Sequence, residues 1–379
     1  MQHSLDAATQ AKIKFLDAFQ TIVLHPRGMD YKLQFTGPTG TNSVEAATKL
    51  ARKVTERSHI VAFTHAYHGH TLGALALTAN RYYHSEFFGS RSDVTHMPFD
   101  GYAPNVDSAA LLEQMLDDPS SGLPLPAAII LETVQGEGGV NVASNDWLRR
   151  IEGICRKHEI LLIVDDIQVG NGRTGTYFSF EPAGIRPDMV CMSKSIGGGL
   201  PLAFVLLSPE LDQWLPGQHT GTFRGNNLAF VAATALLEYW RDSQLERHVE
   251  CLRQHILAHL AQLVESYPER SVRLRGRGLI QGFDVGDGSL AREIIDECFA
   301  AGLLIESSGA HDEVLKVMPA LTTPLETLIE GLTILTACVR KVFKKYQAQS
   351  PSQPLESDFS KPLGNLATPM EYCPSTTKG

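Results

Sequence analysis

Three short apolar segments of the sequence each lead into residues that could do chemistry. The first leads into Asp165, the second into Lys194 with a run of three glycines shortly after it, and the third into Glu132. Continuous apolar segments of this length are typical of parallel strands that are buried on both faces. Because ligands bind beyond the carboxyl ends of such strands, we expect these side chains to meet around one site. The segments are Ile160–Val164, Met189–Met192 and Ala127–Leu131.

A lysine and a carboxylate at neighbouring strand ends suit one cofactor, pyridoxal 5′-phosphate. This cofactor needs a lysine for its Schiff base and a carboxylate beside its ring nitrogen, which keeps the ring protonated. It also needs a phosphate site, and residues 37–41 (Gly-Pro-Thr-Gly-Thr) precede a predicted helix whose first N–H groups could provide one. Asn42, with Glu45 three residues later, is predicted to cap that helix. Each signal alone is more typical of a turn or a surface charge, so the prediction depends on their combination.

The elements that must position these residues alternate between strands and helices. Further continuous apolar segments occur at His59–Phe63 and Ala203–Leu207, and Trp147–Lys157 has a helical pattern. This alternation predicts an α/β fold with a mostly parallel sheet. A first helix is predicted from an N-cap at Ser4 to about Leu24.

The composition of the chain changes after about residue 250. Strand-like and helical segments there predict a second, smaller α+β domain that ends in an amphipathic helix. The remaining tail is rich in serine and proline, lacks periodicity and is predicted to be disordered. We therefore divide the chain into an N-terminal helical segment (1–29), a large cofactor-binding domain (30–250), a small C-terminal domain (251–346) and a tail (347–379).

The overall composition argues against several classes of protein. The 379 residues include 33 Lys and Arg and 42 Asp and Glu, and the resulting net charge of −9 argues against a nucleic-acid-binding surface. No apolar run approaches the roughly 18 residues of a membrane span, and the N-terminus carries no hydrophobic signal segment. The six cysteines form no Cys-x-x-Cys pair, which indicates reduced thiols in a cytoplasmic enzyme.

Several motifs of other enzyme classes do not occur in the sequence. Residues 37–41 lack the Gly-Lys-Ser/Thr of an ATP-binding loop, and the three glycines after Lys194 do not match a dinucleotide fingerprint. The Gly-x-Ser-x-Gly element of many hydrolases is also missing. The spacing of His65, His68 and His70 fits no standard zinc pattern, so we expect no metal.

Several longer segments resemble the class III aminotransferases, which depend on pyridoxal 5′-phosphate. These segments are TGPTGTNSVEAATKLAR, AYHGHTLGALALT, ILETVQGEGGV, LLIVDDIQVGNGRTGTYFSFE, DMVCMSKSIGGGLPLAFVL and GTFRGNN. They follow the order of the family from about residue 30 to residue 235, and a weaker likeness continues to about residue 340. The resemblance implies the type I fold of pyridoxal-phosphate-dependent transferases, with a large, mostly parallel sheet domain and a smaller C-terminal α+β domain.

The resemblance also implies roles for individual residues of a cofactor site. Lys194 is expected to form the Schiff base and to shuttle a proton, and Asp165 is expected to partner the ring nitrogen. The other expected cofactor-binding residues are Gly40 and Thr41 at the phosphate, Tyr67 and Ile167 on the two ring faces, His68 beside Tyr67, Gln168 at the phenolic oxygen, and Thr222 at the phosphate of the neighbouring subunit. A homodimer with shared active sites is therefore expected.

The activity that the resemblance implies is the transfer of an amino group from L-glutamate to an ω-aldehyde in a ping-pong cycle. The expected acceptor is L-aspartate 4-semialdehyde, and Glu132, Glu137 and Lys316 are expected to contact these small-molecule substrates. Three other activities stay open, because a fold does not determine a substrate. They are an ω-aminotransferase of the ornithine, acetylornithine or 4-aminobutyrate type, an aminomutase or racemase that uses the same lysine, and a non-catalytic paralogue that binds a partner.

The chain departs from the family pattern at three places. The first motif comes early in this chain, so the N-terminal region that lines the partner's active site is expected to be shortened and the pocket more open. Lys316 stands where many relatives carry an arginine, and a lysine holds a carboxylate only as a point charge. Asp166 follows Asp165 where an Asp-Glu pair is usual.

Overall fold

A computed structural model describes residues 7–88 and 93–348 of the chain. Its helices are α1 Gln10–Ala18, α2 Gly40–Thr55, α3 Leu72–Leu77, α4 Ser108–Asp117, α5 Asn145–Lys157, α6 Asn227–Leu237, α7 Gln244–Glu265, α8 Gly288–Ala300 and α9 Leu325–Ala348. Its strands are β1 Lys32–Phe35, β2 Ile60–Phe63, β3 Val94–Met97, β4 Ala128–Leu131, β5 Val134–Gln135, β6 Asn141–Val142, β7 Leu161–Asp165, β8 Met189–Met192, β9 Phe204–Leu207, β10 Arg273–Arg277, β11 Ile280–Asp284, β12 Glu306–Ser308 and β13 Val314–Val317. None of the helices in these two ranges has both the length and the apolar composition needed to cross a membrane. The predicted disordered tail lies, from residue 349 onward, outside the described residues.

A seven-stranded sheet in the order β1-β9-β8-β7-β4-β2-β3 forms the larger part of the fold. The strands from β8 to β3 run parallel to their neighbours, whereas β9 runs antiparallel to both β8 and β1. The predicted α/β class with a mostly parallel sheet is therefore confirmed. The expectation of a parallel strand at Ala203–Leu207 is wrong. β9 is apolar throughout, so both of its faces can be buried. This pattern does not determine the direction of a strand.

Helices cover both faces of the large sheet and separate its core into two clusters. Along β4, Ile129 and Leu131 belong to the cluster that includes α4 and α5. The alternate residues Ala128 and Ile130 belong to the cluster that includes α2 and α3. Because both faces are covered, the carboxyl ends of the parallel strands are where this sheet can offer functional groups to a ligand.

The first helix begins later than predicted. Residues 7–9 are not helical, and the Thr9 side chain accepts a hydrogen bond from the backbone N–H of Lys12 and so caps α1. The predicted cap, Ser4, lies outside the described residues. The helical path continues beyond α1 through a π-helical turn and ends at Gly28, which has a φ of +59°.

An aromatic cluster fastens this N-terminal segment to the large sheet. Phe15 and Phe19 are fully buried, and their ring centroids lie 6.0 and 5.5 Å from that of Phe204 in β9. Phe15 also stacks on Phe230 of α6 at 5.4 Å. The aromatic side chains of this segment are therefore buried, and they pack on residues that come roughly two hundred positions later in the chain.

A second, smaller sheet is antiparallel and has the strand order β10-β11-β13-β12. α8 packs against β12 and β13, and α9 packs against α7 and α8. The smaller C-terminal α+β part is confirmed by this arrangement. The domain boundaries stay predictions, and the one placed at residue 250 falls within α7.

Candidate active site

A cavity of about 260 Å³ lies at the carboxyl ends of the central strands. Asp165 is the last residue of β7, Lys194 begins the 3₁₀ turn that follows β8, and Glu132 directly follows β4. The cavity is lined by Thr39, Gly40, Thr41, Tyr67, His68, Gly69, His70, Glu132, Glu137, Asp165, Ile167, Gln168, Val169 and Lys194. The three strand ends singled out in the sequence thus meet around one space.

Lys194 presents its amine to this cavity from a strained backbone position. Its φ is +53°, in the left-handed region that residues other than glycine seldom adopt. The side chain stays accessible, but burial by the surrounding protein lowers the pKa of its amine, and the attraction of Glu137 and Asp165 offsets only part of this effect. A lysine with a lowered pKa has a larger share of the neutral, nucleophilic amine.

The Asp165 carboxylate is buried and held from two sides. One oxygen accepts a hydrogen bond from the backbone N–H of Ile167 at 3.2 Å, and the other lies 2.8 Å from Nδ1 of His68. The His68 ring is itself buried, and its Nε2 has no hydrogen-bond partner among the described residues. Asp165 is therefore fixed in orientation at the wall of the cavity, with His68 behind it.

Two glutamates at the site are driven toward opposite charge states. Glu132 is buried and accepts a hydrogen bond from the backbone N–H of Tyr67 at 3.0 Å; burial, with the nearby Asp165, raises the pKa of its carboxyl. Burial would also raise the pKa of Glu137, but the attraction of Lys316 and the hydrogen bonds outweigh burial and lower it. Carboxyl groups with separated pKa values can take different roles in one site.

Glu137 links the cavity to the small sheet. One of its carboxylate oxygens lies 2.8 Å from Nζ of Lys316, in β13, and 2.8 Å from Nε2 of Gln168. The Lys316 side chain is only 3% exposed and is not part of the lining, so this ion pair is its link to the cavity. The second N–H of the Gln168 amide remains able to donate elsewhere.

Two glycines allow the walls of the cavity to approach one another. A Cβ on Gly136 would lie 1.7 Å from the Gln168 side-chain oxygen, so any side chain there would push this amide away. Gly69 has a φ of +122°, and its Cβ would lie 2.5 Å from Oγ1 of Thr41. The positions of Gln168 and Thr41 therefore depend on these two glycines.

The residues predicted to form a phosphate site lie at and just before the start of α2, and the cap of this helix differs from the prediction. Thr39 is the N-cap residue and the helix begins at Gly40, so Asn42 lies inside the helix and accepts a hydrogen bond from Thr39 Oγ1 at 2.7 Å. The predicted capping role of Glu45 is also wrong. Its carboxylate instead accepts hydrogen bonds from Gly73, at the start of α3, and from the Thr71 hydroxyl. Spacing alone could not distinguish capping of its own helix from capping of a neighbouring one.

Aromatic rings form one wall of the cavity. The ring centroid of Tyr67 lies 5.3 Å from that of His70 and 5.7 Å from that of Tyr83, with the rings edge to face. Burial raises the pKa of the Tyr67 phenol, which keeps it neutral. Tyr67 therefore offers the cavity an uncharged aromatic face, whereas Asp165 offers it a carboxylate.

Most of the predicted site residues line the cavity, and two do not. Thr222 is exposed on a loop before α6 and is not part of the lining. Lys316 is not part of the lining either and is linked to the cavity through its ion pair with Glu137. Four lining residues were given no individual role at the cofactor from the sequence: Thr39, Gly69, His70 and Val169. All four belong to the segments that carry the family resemblance, which is the signal that could have found them.

The carboxyl group of Asp166, next to Asp165, is fully buried but does not line the cavity. It accepts a hydrogen bond from the backbone N–H of Ser179 at 3.2 Å, and Arg277 of β10 donates to the Ser179 carbonyl. Burial raises the pKa of Asp166 to about 7, against the hydrogen bonds from Ser179, which lower it. This carboxyl therefore belongs to a buried contact between the loop after β7 and the small sheet.

The raised pKa of Asp166 predicts a pH-dependent difference in stability. The ordinary pKa is 3.8, so between about pH 4 and pH 7 the unfolded chain has released this proton while the folded protein keeps it. The contribution of Asp166 to the free energy of unfolding falls as pH rises through this window and then levels off. We expect Asp166→Asn, which cannot ionise, to gain roughly 1 kcal/mol or more relative to wild type across the window. Urea unfolding of both proteins at several pH values measures this difference, and a difference independent of pH would contradict it.

Comparison with known proteins assigns this arrangement to a family. The family model described as Aminotransferase class-III matches residues 9–339. The chain is 56% identical over 348 residues to a diaminobutyrate--2-oxoglutarate transaminase from Wolinella succinogenes, covering 92% of this chain and 82% of the relative. It is 55% identical to the enzyme of the same name from Vibrio cholerae, over 88% of this chain and 82% of the relative.

Solved structures share the fold at lower sequence identity. A transaminase from the marine bacterium Virgibacillus matches with a TM-score of 0.81 at 20% identity, over 91% of this chain and 83% of that chain. The ornithine aminotransferase from Toxoplasma gondii matches with a TM-score of 0.79 at 24% identity, over 92% and 80% of the two chains. The large sheet, the small sheet and their order along the chain are therefore features of a known fold.

Proposed function

The chain belongs to the class III aminotransferases, and on this basis we propose that it transfers an amino group from L-glutamate to L-aspartate 4-semialdehyde. The products are 2-oxoglutarate and L-2,4-diaminobutyrate. The observation that carries the choice of substrates is the identity of 50–56% to several relatives named diaminobutyrate--2-oxoglutarate transaminase. The matched region covers at least 80% of the length of each of these relatives, and it includes the segments that build the cavity.

The enzyme depends on pyridoxal 5′-phosphate, and the cavity residues fit this group. When bound, the cofactor supplies an aldehyde that condenses with amines and a protonated ring that withdraws electrons from the substrate. The amine of Lys194 has the lowered pKa that reaction with an aldehyde requires. The start of α2 offers free backbone N–H groups and the Thr41 hydroxyl to the phosphate.

Four residues would hold the ring and its proton in place. The Asp165 carboxylate, oriented by His68, would keep a proton on the ring nitrogen. Tyr67 and Ile167 both line the cavity and would enclose the two faces of the ring. Lys194 would take the proton from the reacting carbon of the substrate and return it at the cofactor carbon.

Glu132, Glu137 and Lys316 are proposed to contact the substrates. Lys316 is a buried cation, and its ion pair with Glu137 lies at the edge of the cavity. A substrate carboxylate that approached this pair would compete with Glu137 for the ammonium group. Glu132, with its raised pKa, would stay neutral beside Asp165 and would not add negative charge under the ring.

A homodimer with shared sites is supported by two exposed features at and just before α6. Thr222 is exposed, and the α6 helix that follows shows an apolar face in which Leu228 and Val231 are 53% and 61% exposed. α6 also packs against the 3₁₀ turn that carries Lys194. A second copy that covered this face would bring its own Thr222 toward a neighbouring cavity, as the family resemblance implies.

The cytoplasm is the proposed location. The five cysteines within the described residues are all free thiols, and four of them are buried. Thiols of this kind persist in reducing compartments.

The half-reactions of the loaded protein test this function. We expect L-glutamate alone to change the cofactor absorbance and to release 2-oxoglutarate in an amount equal to the protein. A panel of acceptors, with the semialdehydes derived from aspartate, ornithine, acetylornithine and 4-aminobutyrate, should then give the highest kcat/KM for L-aspartate 4-semialdehyde. A clear preference for another aldehyde would replace the substrate, and isomerisation without release of 2-oxoglutarate would replace the reaction class. A protein that changes none of these compounds would be a non-catalytic paralogue.

A further inference from the structure

A second cavity, of about 470 Å³, adjoins the one that holds the proposed cofactor site. Tyr67 and Glu137 line both cavities, so the two spaces meet at these side chains. The rest of the lining of the wider cavity consists of residues 64–66, 79–81 and 309–311, the last of which connect β12 to β13, together with Tyr83, His96, Tyr102 and Gly138. None of the residues with a proposed cofactor role, apart from Tyr67, belongs to its lining.

Arg81 is an exposed side chain that brings a positive charge to the lining of this second cavity. Among the described residues its guanidinium has no hydrogen-bond or ion-pair partner. Glu137, the one carboxylate among the described lining residues, is already bound to Lys316 and Gln168. Burial lowers the pKa of His65 on the same wall, so that ring adds no fixed charge. The charge that this lining offers to a ligand is therefore the positive charge of Arg81. A planar guanidinium suits a carboxylate.

The chemistry of both proposed substrates supplies such a carboxylate at one distance. In L-glutamate, the side-chain carboxylate is as many carbon–carbon bonds from the amine-bearing α-carbon as the carboxylate of L-2,4-diaminobutyrate is from its amine-bearing γ-carbon. A substrate with its reacting carbon at Lys194 would extend this carboxylate away from the lysine, and the wider cavity adjoins the cofactor site at Tyr67 and Glu137.

We propose that Arg81 binds the distal carboxylate that the two substrates share, and that the cavity around it is the subsite for this end of the substrate. This inference rests on the proposed function for the identity of the substrates. Arg81 sits on the 3₁₀ turn Arg81–Tyr83, and Tyr83 of the same turn packs against Tyr67. One short turn thus carries both the arginine proposed to bind the carboxylate and a tyrosine that supports the wall of the cofactor site.

Binding of glutarate tests the role of Arg81 without any turnover. Glutarate has both carboxylates of glutamate and no amine, so calorimetry on the cofactor-loaded protein reports only recognition. We expect Arg81→Gln to weaken glutarate binding about 10- to 100-fold, because a charge-assisted hydrogen-bonded pair is lost. Arg81→Lys should lose less, since the charge remains. The matched control is Arg292→Gln, an exposed arginine of α8 paired within its own helix, which should bind glutarate like wild type.

A pair of amine substrates provides the second readout. 1,3-Diaminopropane is L-2,4-diaminobutyrate without its carboxylate, so Arg81→Gln should lower kcat/KM for the amino acid about 10- to 100-fold and leave the diamine unchanged. Unchanged glutarate affinity in Arg81→Gln would overturn the inference, as would an equal loss for both amines or a loss of cofactor. If wild type prefers a different ω-amino acid, the proposed function fails while the glutarate comparison still decides the role of Arg81.

Discussion

Replacing Lys194 by alanine is expected to abolish amino transfer and to leave the protein folded. The side chain provides the amine that binds the cofactor covalently and the base that moves the proton at the substrate carbon, and alanine can do neither. Proton transfer alone contributes about 10²–10⁴-fold, so we expect kcat with L-glutamate to fall roughly 10⁴-fold or more. The position is accessible, so thermal unfolding should change little. Single-turnover assays and a melting curve measure the two effects.

Two matched variants show whether the amine or only its charge is needed. Lys194→Arg keeps a positive charge that does not deprotonate, and we expect it to be as inactive as the alanine variant. Lys157→Ala removes a surface lysine paired with Glu113 and Asp117, and it should keep full activity. After borohydride treatment of the loaded wild type, mass spectrometry should find the cofactor on the peptide that contains Lys194. A label on another lysine, or substantial activity in Lys194→Arg, would disprove the assignment.

Asp165→Asn is expected to give the second large loss. Asparagine has the same shape and can still accept the hydrogen bond from the Ile167 N–H, but it carries no charge to hold a proton on the ring nitrogen. Removing a preoriented electrostatic partner of this kind costs about 10²–10³-fold in kcat. We expect the loss in kcat rather than in the affinity for the cofactor, because the phosphate contacts at α2 remain. Stopped-flow rates at saturating L-glutamate and cofactor titrations separate the two.

The neighbouring residue supplies the control for this variant. Asp166→Asn changes an equally buried carboxyl one position along the chain that does not line the cavity. It should keep a kcat near that of wild type and alter only the dependence of stability on pH. Equal losses in the two variants would show that the effect comes from disturbing the loop after β7. Undiminished turnover in Asp165→Asn would exclude a role for its charge.

The elements that carry the site were predictable because their signals are local. The apolar segment Met189–Met192 corresponds to β8 residue for residue, and the residues at the carboxyl ends of β4, β7 and β8 meet as the geometry of parallel strands requires. The direction of β9 was not predictable, since a strand with both faces buried has the same pattern in either direction.

Contacts between distant parts of the chain could not be read from spacing. Glu45 lies at the right distance from Asn42 for a capping box, yet its carboxylate caps α3, which is nearby only in the folded protein. The ion pair of Glu137 with Lys316 joins residues from the two sheets. Arg81 belongs to none of the motifs found in the sequence, and only its place in the lining of the second cavity indicates a role.

The pairing of β1 with β9 sets the order in which the chain can assemble during synthesis. Lys32 lies opposite Leu207, so β1 leaves the ribosome well before β9 and must wait for most of the large sheet before it pairs. Through that interval the phenylalanines that flank it are exposed to water, and contacts so distant in sequence form slowly. Newly made chains should therefore depend on chaperones until β9 has emerged, and aggregation during expression should begin with this N-terminal segment.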